Sequence, residues 1–118
     1  MPLYPFAMES ITDPHARYAS ILTEYLASLA AYYDRPEQDA LEHQVLADEE
    51  RGHFQLLRLG WHERRFHFLV LMHFDLKPDG RIWLQQNNTE ILVDEELAKR
   101  GVDKQDIVLG FRPAYLRG

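Results

Sequence analysis

The spacing of apolar residues predicts a long helix near the amino terminus. Between residues 18 and 29, apolar side chains recur every three or four positions, which places them on one face of a helix. Asp13 offers a cap for the helix start, and Pro14 suits the first helical position. Because Pro36 disfavours a helical residue before it, we expect the helix to end near Tyr33. An apolar face so rich in tyrosine and leucine is typical of a helix that packs on a core.

After Pro36 the apolar residues alternate with polar ones, which indicates strands. Short turns separate four predicted strands, which span residues 42–48, 53–61, 65–76 and 81–85. The strongest turn signal in the chain is Lys-Pro-Asp-Gly at residues 77–80. Since each connection is short, consecutive strands run in opposite directions, and we predict an antiparallel meander.

The last third of the chain predicts one more helix. Residues 90–100 are acidic at the start and basic at the end, as the helix dipole favours, and Gly101 is a stop signal. The apolar segment Ile-Val-Leu-Gly-Phe at residues 107–111 is expected to dock on the body of the protein. The predicted fold is therefore α+β, with an N-terminal helix, a four-stranded antiparallel meander and a C-terminal helix. We assign residues 1–12 to an N-terminal arm and residues 13–118 to a single domain.

The third strand, residues 65–76, carries apolar side chains at both sets of alternate positions. One set runs from Phe66 to Phe74 and makes a complete core face. The other set is polar at its ends but contains Leu69 and Leu71 in the middle. Either the protein's own C-terminal segments cover this second face, or it binds another protein. On the second interpretation, the predicted partner-binding residues are Leu69, Leu71, His73 and Trp83.

Composition narrows the classes of function. The chain has 118 residues, of which 46% are hydrophobic and 27% charged, as in ordinary globular domains. No apolar run approaches the roughly 20 residues that span a bilayer, and no secretion signal is recognisable. We therefore expect a cytoplasmic protein that does not bind membranes. The absence of cysteine excludes disulfides, thiolate metal sites and cysteine nucleophiles.

The formal net charge of −6 disfavours direct binding to nucleic acid, because proteins that bind phosphates present a basic surface. The positive charges are dispersed, with a modest cluster at Arg51, Arg58, Arg64 and Arg65 that is typical of a solvated surface. A direct DNA binder that uses these four arginines stays open as a hypothesis, which salt-dependent binding to duplex DNA would test.

Signals for metal binding are weak. His73 and Asp75 share one face of a predicted strand, and a metal site would need a third ligand such as His53 or Asp48 from a neighbouring strand. His67 lies six residues from His73, roughly 20 Å along a strand, so these two cannot reach one ion. We predict hydrogen-bonded or solvated histidines, no metal site and no cofactor. The alternative is a small metal-dependent enzyme or nuclease subunit that uses these strand histidines and aspartates.

Catalytic motifs are absent from the sequence. The acidic run at residues 48–50 lies in a predicted turn, where acidic residues are common. Phosphate-binding loops, dinucleotide fingerprints, serine-nucleophile elbows and zinc-protease motifs do not occur. The sequence therefore favours a protein that is not an enzyme.

A series of motifs spread over residues 18–113 resembles one known family. The matching residues are Asp48 with Glu50-Arg51, His53-Phe54-Gln55-Leu56-Leu57, Gly60-Trp61, His73-Phe74-Asp75-Leu76, Asp79-Gly80-Arg81-Ile82-Trp83-Leu84-Gln85-Gln86, Thr89-Glu90, Leu97, Gly101-Val102, Asp106-Ile107-Val108-Leu109-Gly110-Phe111 and Pro113. On these motifs the chain resembles the XisI family, the fdxN-element excision controlling factors of filamentous cyanobacteria. The tryptophan-containing strand and the segment at residues 106–111 are specific in combination.

The resemblance implies a small α+β accessory factor in the programmed excision of a DNA element. It implies that a separate site-specific recombinase performs the chemistry, and that an XisH-like protein, which resembles a nuclease fold, is the expected partner. A homo-oligomer is the alternative assembly. The resemblance carries no catalytic residues. Two features depart from the family: we expect the first ten residues to form an extra arm, and the sequence stops soon after Arg117, where family members usually continue with a further short segment.

Overall fold

The computed structural model describes residues 13–34 and 40–117, so the predicted N-terminal arm lies outside the described residues. In chain order the elements are α1 (Pro14–Tyr33), β1 (Ala40–Asp48), β2 (His53–His62), β3 (Arg65–Leu76), β4 (Ile82–Asn87), α2 (Val93–Lys99), a 3₁₀ helix (Lys104–Asp106), β5 (Ile107–Leu109) and α3 (Ala114–Arg117). Among the helices of this part of the chain, none combines the length and apolarity needed to span a membrane.

Helix α1 has the bounds that its sequence predicted. The side chain of Asp13 accepts a hydrogen bond from the backbone N–H of His15 at 3.0 Å, which caps the first turn. At the other end the backbone N–H of Asp34 donates to the carbonyl of Ala30, and the chain becomes extended. The buried residues of the helix are Tyr18, Ala19, Leu22, Tyr25 and Leu26.

The sheet has five strands in the order β1-β2-β3-β4-β5, so the prediction of a four-stranded meander is only partly correct. The first four strands are antiparallel neighbours, as predicted. Residues 107–109, predicted only to dock on the body of the protein, pair parallel to β4, with Ile82 opposite Ile107. The connection through α2 makes this possible, because a parallel neighbour requires a crossover rather than a tight turn. The sheet is therefore mixed.

The second helix is shorter than predicted because the residues before it form a loop held by side chains. The side-chain oxygen of Asn87 accepts hydrogen bonds from the backbone N–H and the hydroxyl of Thr89. The amide nitrogen of Asn87 donates to the carbonyl of Ile91 at 3.0 Å. These local bonds compete with helix formation, so α2 begins only at Val93.

The hydrophobic core lies between one face of the sheet and the helices α1 and α2. The hydroxyl of Tyr18 in α1 donates to the carboxylate of Asp106 at 2.6 Å and accepts from the backbone N–H of Asp103, which joins α1 to the 3₁₀ helix. The sheet and C-terminal residues of the core are Phe54, Leu56, Leu71, Met72, Phe74, Leu76, Ile82, Leu84, Val93, Leu97 and Val102.

A bulge in β3 decides which of its apolar side chains belong to this core. Leu56 of β2 pairs with Met72, and the next residue, Leu57, pairs with Val70, so the pairing skips Leu71. Because the ladder has one extra residue here, the alternation of side chains shifts by one position. Leu71 and Met72, although adjacent in sequence, are both buried, at 3% and 0% exposure.

The prediction of which β3 side chains face the core is therefore wrong for the first half of the strand, up to Leu71. Leu71 is buried and Leu69 packs against the core, although strict alternation assigned both to the face opposite Phe74. Phe66 and Phe68, expected in the core, are 56% and 64% exposed on the opposite side. Strict alternation from one end of a strand to the other holds only without a bulge, and the bulge reverses the two faces before residue 71.

Candidate functional site

The face of the sheet opposite the core, here called the open face, is apolar at one end. Residues that pair directly across antiparallel strands share a side, so the register places Trp61 with Phe66 and Leu59 with Phe68. The rings of Trp61 and Phe66 are in an edge-to-face arrangement with centroids 5.5 Å apart. This apolar patch consists of Leu57, Leu59, Trp61, Phe66, Phe68 and Val70.

The aromatic members of the apolar patch are the most exposed. Trp61, Phe66 and Phe68 are 58%, 56% and 64% exposed. Single apolar side chains on a surface are ordinary, whereas several in contact on a flat face mark an interaction site. Aromatic residues are also the type that is enriched in the centres of protein interfaces.

The other end of the open face is polar, and its centre is Asp75 on β3. One carboxylate oxygen of Asp75 lies 2.8 Å from Nδ1 of His53 and 2.8 Å from Nε2 of His73. Its second oxygen accepts from the side-chain amide of Gln85 at 3.0 Å. Nδ1 of His73 lies 2.8 Å from the amide oxygen of Gln55. We call these five residues the polar cluster.

Hydrogen bonds keep the central carboxylate ionised. Burial is the largest single influence on Asp75 and by itself would raise its pKa. The hydrogen bonds from His53, Gln85 and His73 together outweigh burial and hold the pKa of Asp75 at about 2. Because an ionised carboxylate accepts but cannot donate, the polar cluster is organised around a fixed negative charge.

Three of the four residues considered as metal ligands meet in the polar cluster. The candidate ligand atoms of His53, His73 and Asp75 all lie within 4.8 Å of one another. Asp48 pairs with His53 in the sheet and lines the same concavity of about 330 Å³, but its carboxylate accepts from the backbone N–H of Arg51 at 3.0 Å. This bond is the main cause that lowers the pKa of Asp48. The sequence named the right residue types, but cross-strand register brought them together.

The four predicted partner-binding residues do not form one surface. Leu69 and Leu71 lie on the covered side of the sheet. His73 belongs to the polar cluster, and Trp83 is half-buried on the open face, with the Lys77 ammonium 5.7 Å from its ring centroid. Their role in partner binding stays a prediction. The exposed aromatics of the apolar patch were missed, because Trp61 faces Phe66 only with the two-residue turn at residues 63–64, whereas the predicted strands left a turn of three residues.

The four arginines of the DNA-binding hypothesis are also separated. Arg58 lies on the covered side, where its Nε donates to Nε2 of His43 at 3.0 Å. Arg51 lies in the turn before β2, and Arg64 and Arg65 lie at the turn after it. The two turns are about 30 Å apart at the rise of a strand. These arginines therefore do not form one continuous basic surface.

Comparison with protein-family models gives a match to the XisI protein family over residues 12–118. The chain belongs to the XisI family. The resemblance drawn from its sequence motifs is confirmed, and the match includes the strands that carry the apolar patch and the polar cluster. No curated protein matches this XisI family member.

Solved structures similar to this XisI family member include two proteins of one cyanobacterial strain. A XisI-like protein from Anabaena variabilis ATCC 29413 is 39% identical, with a TM-score of 0.77 over 87% of this chain and 92% of that chain. The fdxN element excision controlling factor XisI from the same strain is 22% identical, with a TM-score of 0.73 over 90% of this chain and 100% of that chain. The second likeness shows the fold alone.

Proposed function

We propose that this XisI family member is a non-enzymatic controlling factor for the excision of a DNA element. In this proposal it acts in the cytoplasm by binding another protein through the apolar patch of the open face. Membership of the family supports the role in excision. The observation that carries the mode of action is the exposure of Trp61, Phe66 and Phe68 side by side on one flat surface.

The apolar patch has enough hydrophobic surface to hold a partner. Complete burial of a large apolar side chain stabilises by about 1.5–3 kcal/mol, and each of these three aromatics retains more than half of its surface for a partner to cover. Together they offer roughly 3–5 kcal/mol, the scale of an interface hot spot. Charged residues Glu63, Arg64 and Arg65 are exposed beside them, as in the polar rim of an interface.

An XisH-like protein is the partner we propose, on the basis of the family resemblance. The flat apolar patch requires a complementary apolar surface on that protein. A second copy of this chain is the competing occupant, because an exposed patch can also pair with itself.

Co-purification of this chain with the XisH-like protein of the same genome, followed by mass measurement of the complex, tests the proposal. The variants are Phe68→Asp and Trp61→Asp in the apolar patch. The matched control is Leu92→Asp, because Leu92 is 63% exposed but lines a groove beside Tyr32 of α1. We expect each patch variant to weaken the complex more than about tenfold, since a carboxylate would have to be desolvated. The control should bind as the wild type does.

Each result separates the candidate occupants. Equal binding by the patch variants and the wild type would refute the role of the apolar patch. A wild-type dimer that the Phe68→Asp variant abolishes, with no binding to the XisH-like protein, would replace the proposed partner by a second copy. Circular dichroism of every variant establishes that the fold is retained before binding is compared.

The polar cluster favours a second candidate function, a small metal-dependent enzyme or nuclease subunit. Two imidazoles and a carboxylate are a ligand set that catalytic metal sites use. Incubation of single-stranded and duplex DNA with the protein and Mg²⁺, Mn²⁺ or Zn²⁺ tests this alternative. Cleavage that is lost in Asp75→Asn and kept in His62→Gln would favour the enzyme over the controlling factor.

A further inference from the structure

We propose that His53, His73 and Asp75 form a binding site for one divalent transition-metal ion, with Zn²⁺ as the reference ion. The inference is independent of the proposed partner binding and rests on the geometry of the polar cluster. The three ligand atoms come from adjacent strands and lie within 4.8 Å of one another.

The distances within the polar cluster are close to those that an ion requires. A tetrahedral zinc site with ligands about 2.1 Å from the ion sets neighbouring ligand atoms about 3.4 Å apart. The carboxylate oxygen of Asp75 now lies 2.8 Å from each of the two imidazole nitrogens. An outward movement of about 0.6 Å, within the reach of a side-chain rotation, would make room for the ion.

Nδ1 of His73 makes the hydrogen bond that the non-ligating nitrogen of a metal-bound histidine usually makes. With the amide oxygen of Gln55 placed 2.8 Å from Nδ1, that nitrogen donates its hydrogen to the amide. Nε2 is then the ring nitrogen that faces the carboxylate of Asp75, at 2.8 Å, and it is the nitrogen available to bind an ion. Histidine ligands of metal sites characteristically donate the other ring hydrogen to an oxygen in this way.

The sheet holds the ligands on a rigid frame. His53 pairs directly with Asp75 across β2 and β3, and His73 is two residues from Asp75 on the same strand face. Gln85 on β4 donates to the second carboxylate oxygen at 3.0 Å, which fixes the orientation of the carboxylate. Ligands from three positions of one sheet lose little conformational freedom on binding an ion.

The donor set determines which ions fit. Imidazole nitrogen suits Zn²⁺, Co²⁺, Ni²⁺ and Cu²⁺, whereas Mg²⁺ and Ca²⁺ prefer oxygen ligands alone. Three protein ligands leave at least one coordination position for water or another group. The concavity that His53 and His73 line with Asp48 gives this position access from solvent.

Metal titration of the untagged protein, after removal of bound metal with a chelator, tests the inference. We expect one equivalent of Zn²⁺ to bind in competition with a chromophoric chelator, and one equivalent of Co²⁺ to give visible absorption bands of nitrogen and oxygen coordination. Mg²⁺ and Ca²⁺ should not compete at the same concentrations. In the NMR spectrum, addition of Zn²⁺ should shift the imidazole signals of His53 and His73 first among the histidines.

Variants distinguish the polar cluster from other histidines. We expect His73→Gln and Asp75→Asn to weaken Zn²⁺ binding more than about tenfold, and Gln55→Met to weaken it by about 10- to 100-fold through loss of the ligand's orientation. The matched control is His62→Gln, because Nε2 of His62 also lies near a carboxylate, 3.8 Å from Glu63, outside the cluster. This control should bind Zn²⁺ as the wild type does.

The inference fails if the wild type binds no Zn²⁺ in this competition, or if His73→Gln and Asp75→Asn bind it as tightly as the wild type. It also fails if Zn²⁺ shifts the signals of the other histidines without those of His53 and His73. The NMR measurement uses the unmodified chain. It therefore tests the inference even if a variant does not fold. Loss of Zn²⁺ binding in His62→Gln alone would place the ion elsewhere and overturn the assignment.

Discussion

The bulge in β3 predicts that two apolar residues three positions apart, Phe68 and Leu71, differ sharply in their contribution to stability. Leu71, 3% exposed, lies among the core residues, whereas Phe68, 64% exposed, lies on the open face. Truncation of each to alanine therefore tests which face of the strand is covered. Replacement of each by aspartate amplifies the difference, because a buried carboxylate costs several kcal/mol and an exposed one costs little.

The burial of each side chain sets the expected change in the free energy of unfolding. A buried leucine replaced by alanine costs about 2–5 kcal/mol, through lost burial and the cavity left behind. Phe68 has roughly a third of its side chain covered, so its truncation forfeits about a third of 1.5–3 kcal/mol, roughly 0.5–1 kcal/mol. Domains of this size have a free energy of unfolding of about 5–15 kcal/mol. We therefore expect Leu71→Asp to unfold the protein and Phe68→Asp to leave it folded.

Urea denaturation followed by far-ultraviolet circular dichroism measures both effects. The free energy of unfolding is obtained for the wild type, Leu71→Ala and Phe68→Ala under identical conditions, and the two aspartate variants are compared for folded content. A cost for Phe68→Ala that equals or exceeds that of Leu71→Ala would contradict the position of the bulge. The apolar patch would then belong to the core, and the proposed partner-binding surface would lose its basis.

Three further predictions follow from local features of the fold. In the presence of a chelator, the free energy of unfolding of the wild type should fall by about 2 kcal/mol as the pH falls from 4 to 2, because the pKa of Asp75 is 3.8 in the unfolded chain and about 2 in the folded protein. Urea titrations should find this loss absent in Asp75→Asn. Equal dependence of the unfolding free energy on pH in the two proteins would contradict the prediction. Gly52→Ala should lower the free energy of unfolding by more than about 1 kcal/mol in the same assay, because Gly52 has a φ of +78° and an added Cβ would meet the carbonyl oxygen of Leu76. An unchanged denaturation midpoint would argue against this turn geometry. Glu63 and Arg64 have φ values of +50° and +67°, which suit Asn-Gly in a two-residue turn. The double variant Glu63→Asn, Arg64→Gly should therefore raise the thermal midpoint, with a gain of about 1 kcal/mol in the free energy of unfolding. A lower midpoint would count against backbone strain in this turn.

Local sequence signals predicted the elements whose formation depends on nearby residues. The cap at Asp13 and the proline that follows it marked the start of α1, and the bounds of β3 were predicted to the residue. The three short turns correctly predicted the antiparallel order of the first four strands. Family membership was also evident from the motifs, because a family pattern is a property of residue order alone.

Local sequence signals could not predict how the strands pair or in which register. The parallel pairing of β5 with β4 depends on a crossover, and its apolar run of three residues is too short to indicate a strand. The polar cluster depends on the register that sets His53 opposite Asp75, two residues 22 positions apart in the sequence. Side-chain type alone could nominate these residues as ligands but could not bring them within bonding distance.

The sequence by itself determined that β3 has apolar residues on both of its faces, but the tertiary structure decided which of them water can reach. Periodicity counts residues along one strand, whereas a bulge is a mismatch in count between two paired strands. One extra residue at Leu71 sends Leu69 and Leu71 into the core and leaves Phe66 and Phe68 exposed. The binding face was decided by pairing because the side of a sheet that a residue occupies is a property of the ladder rather than of the residue.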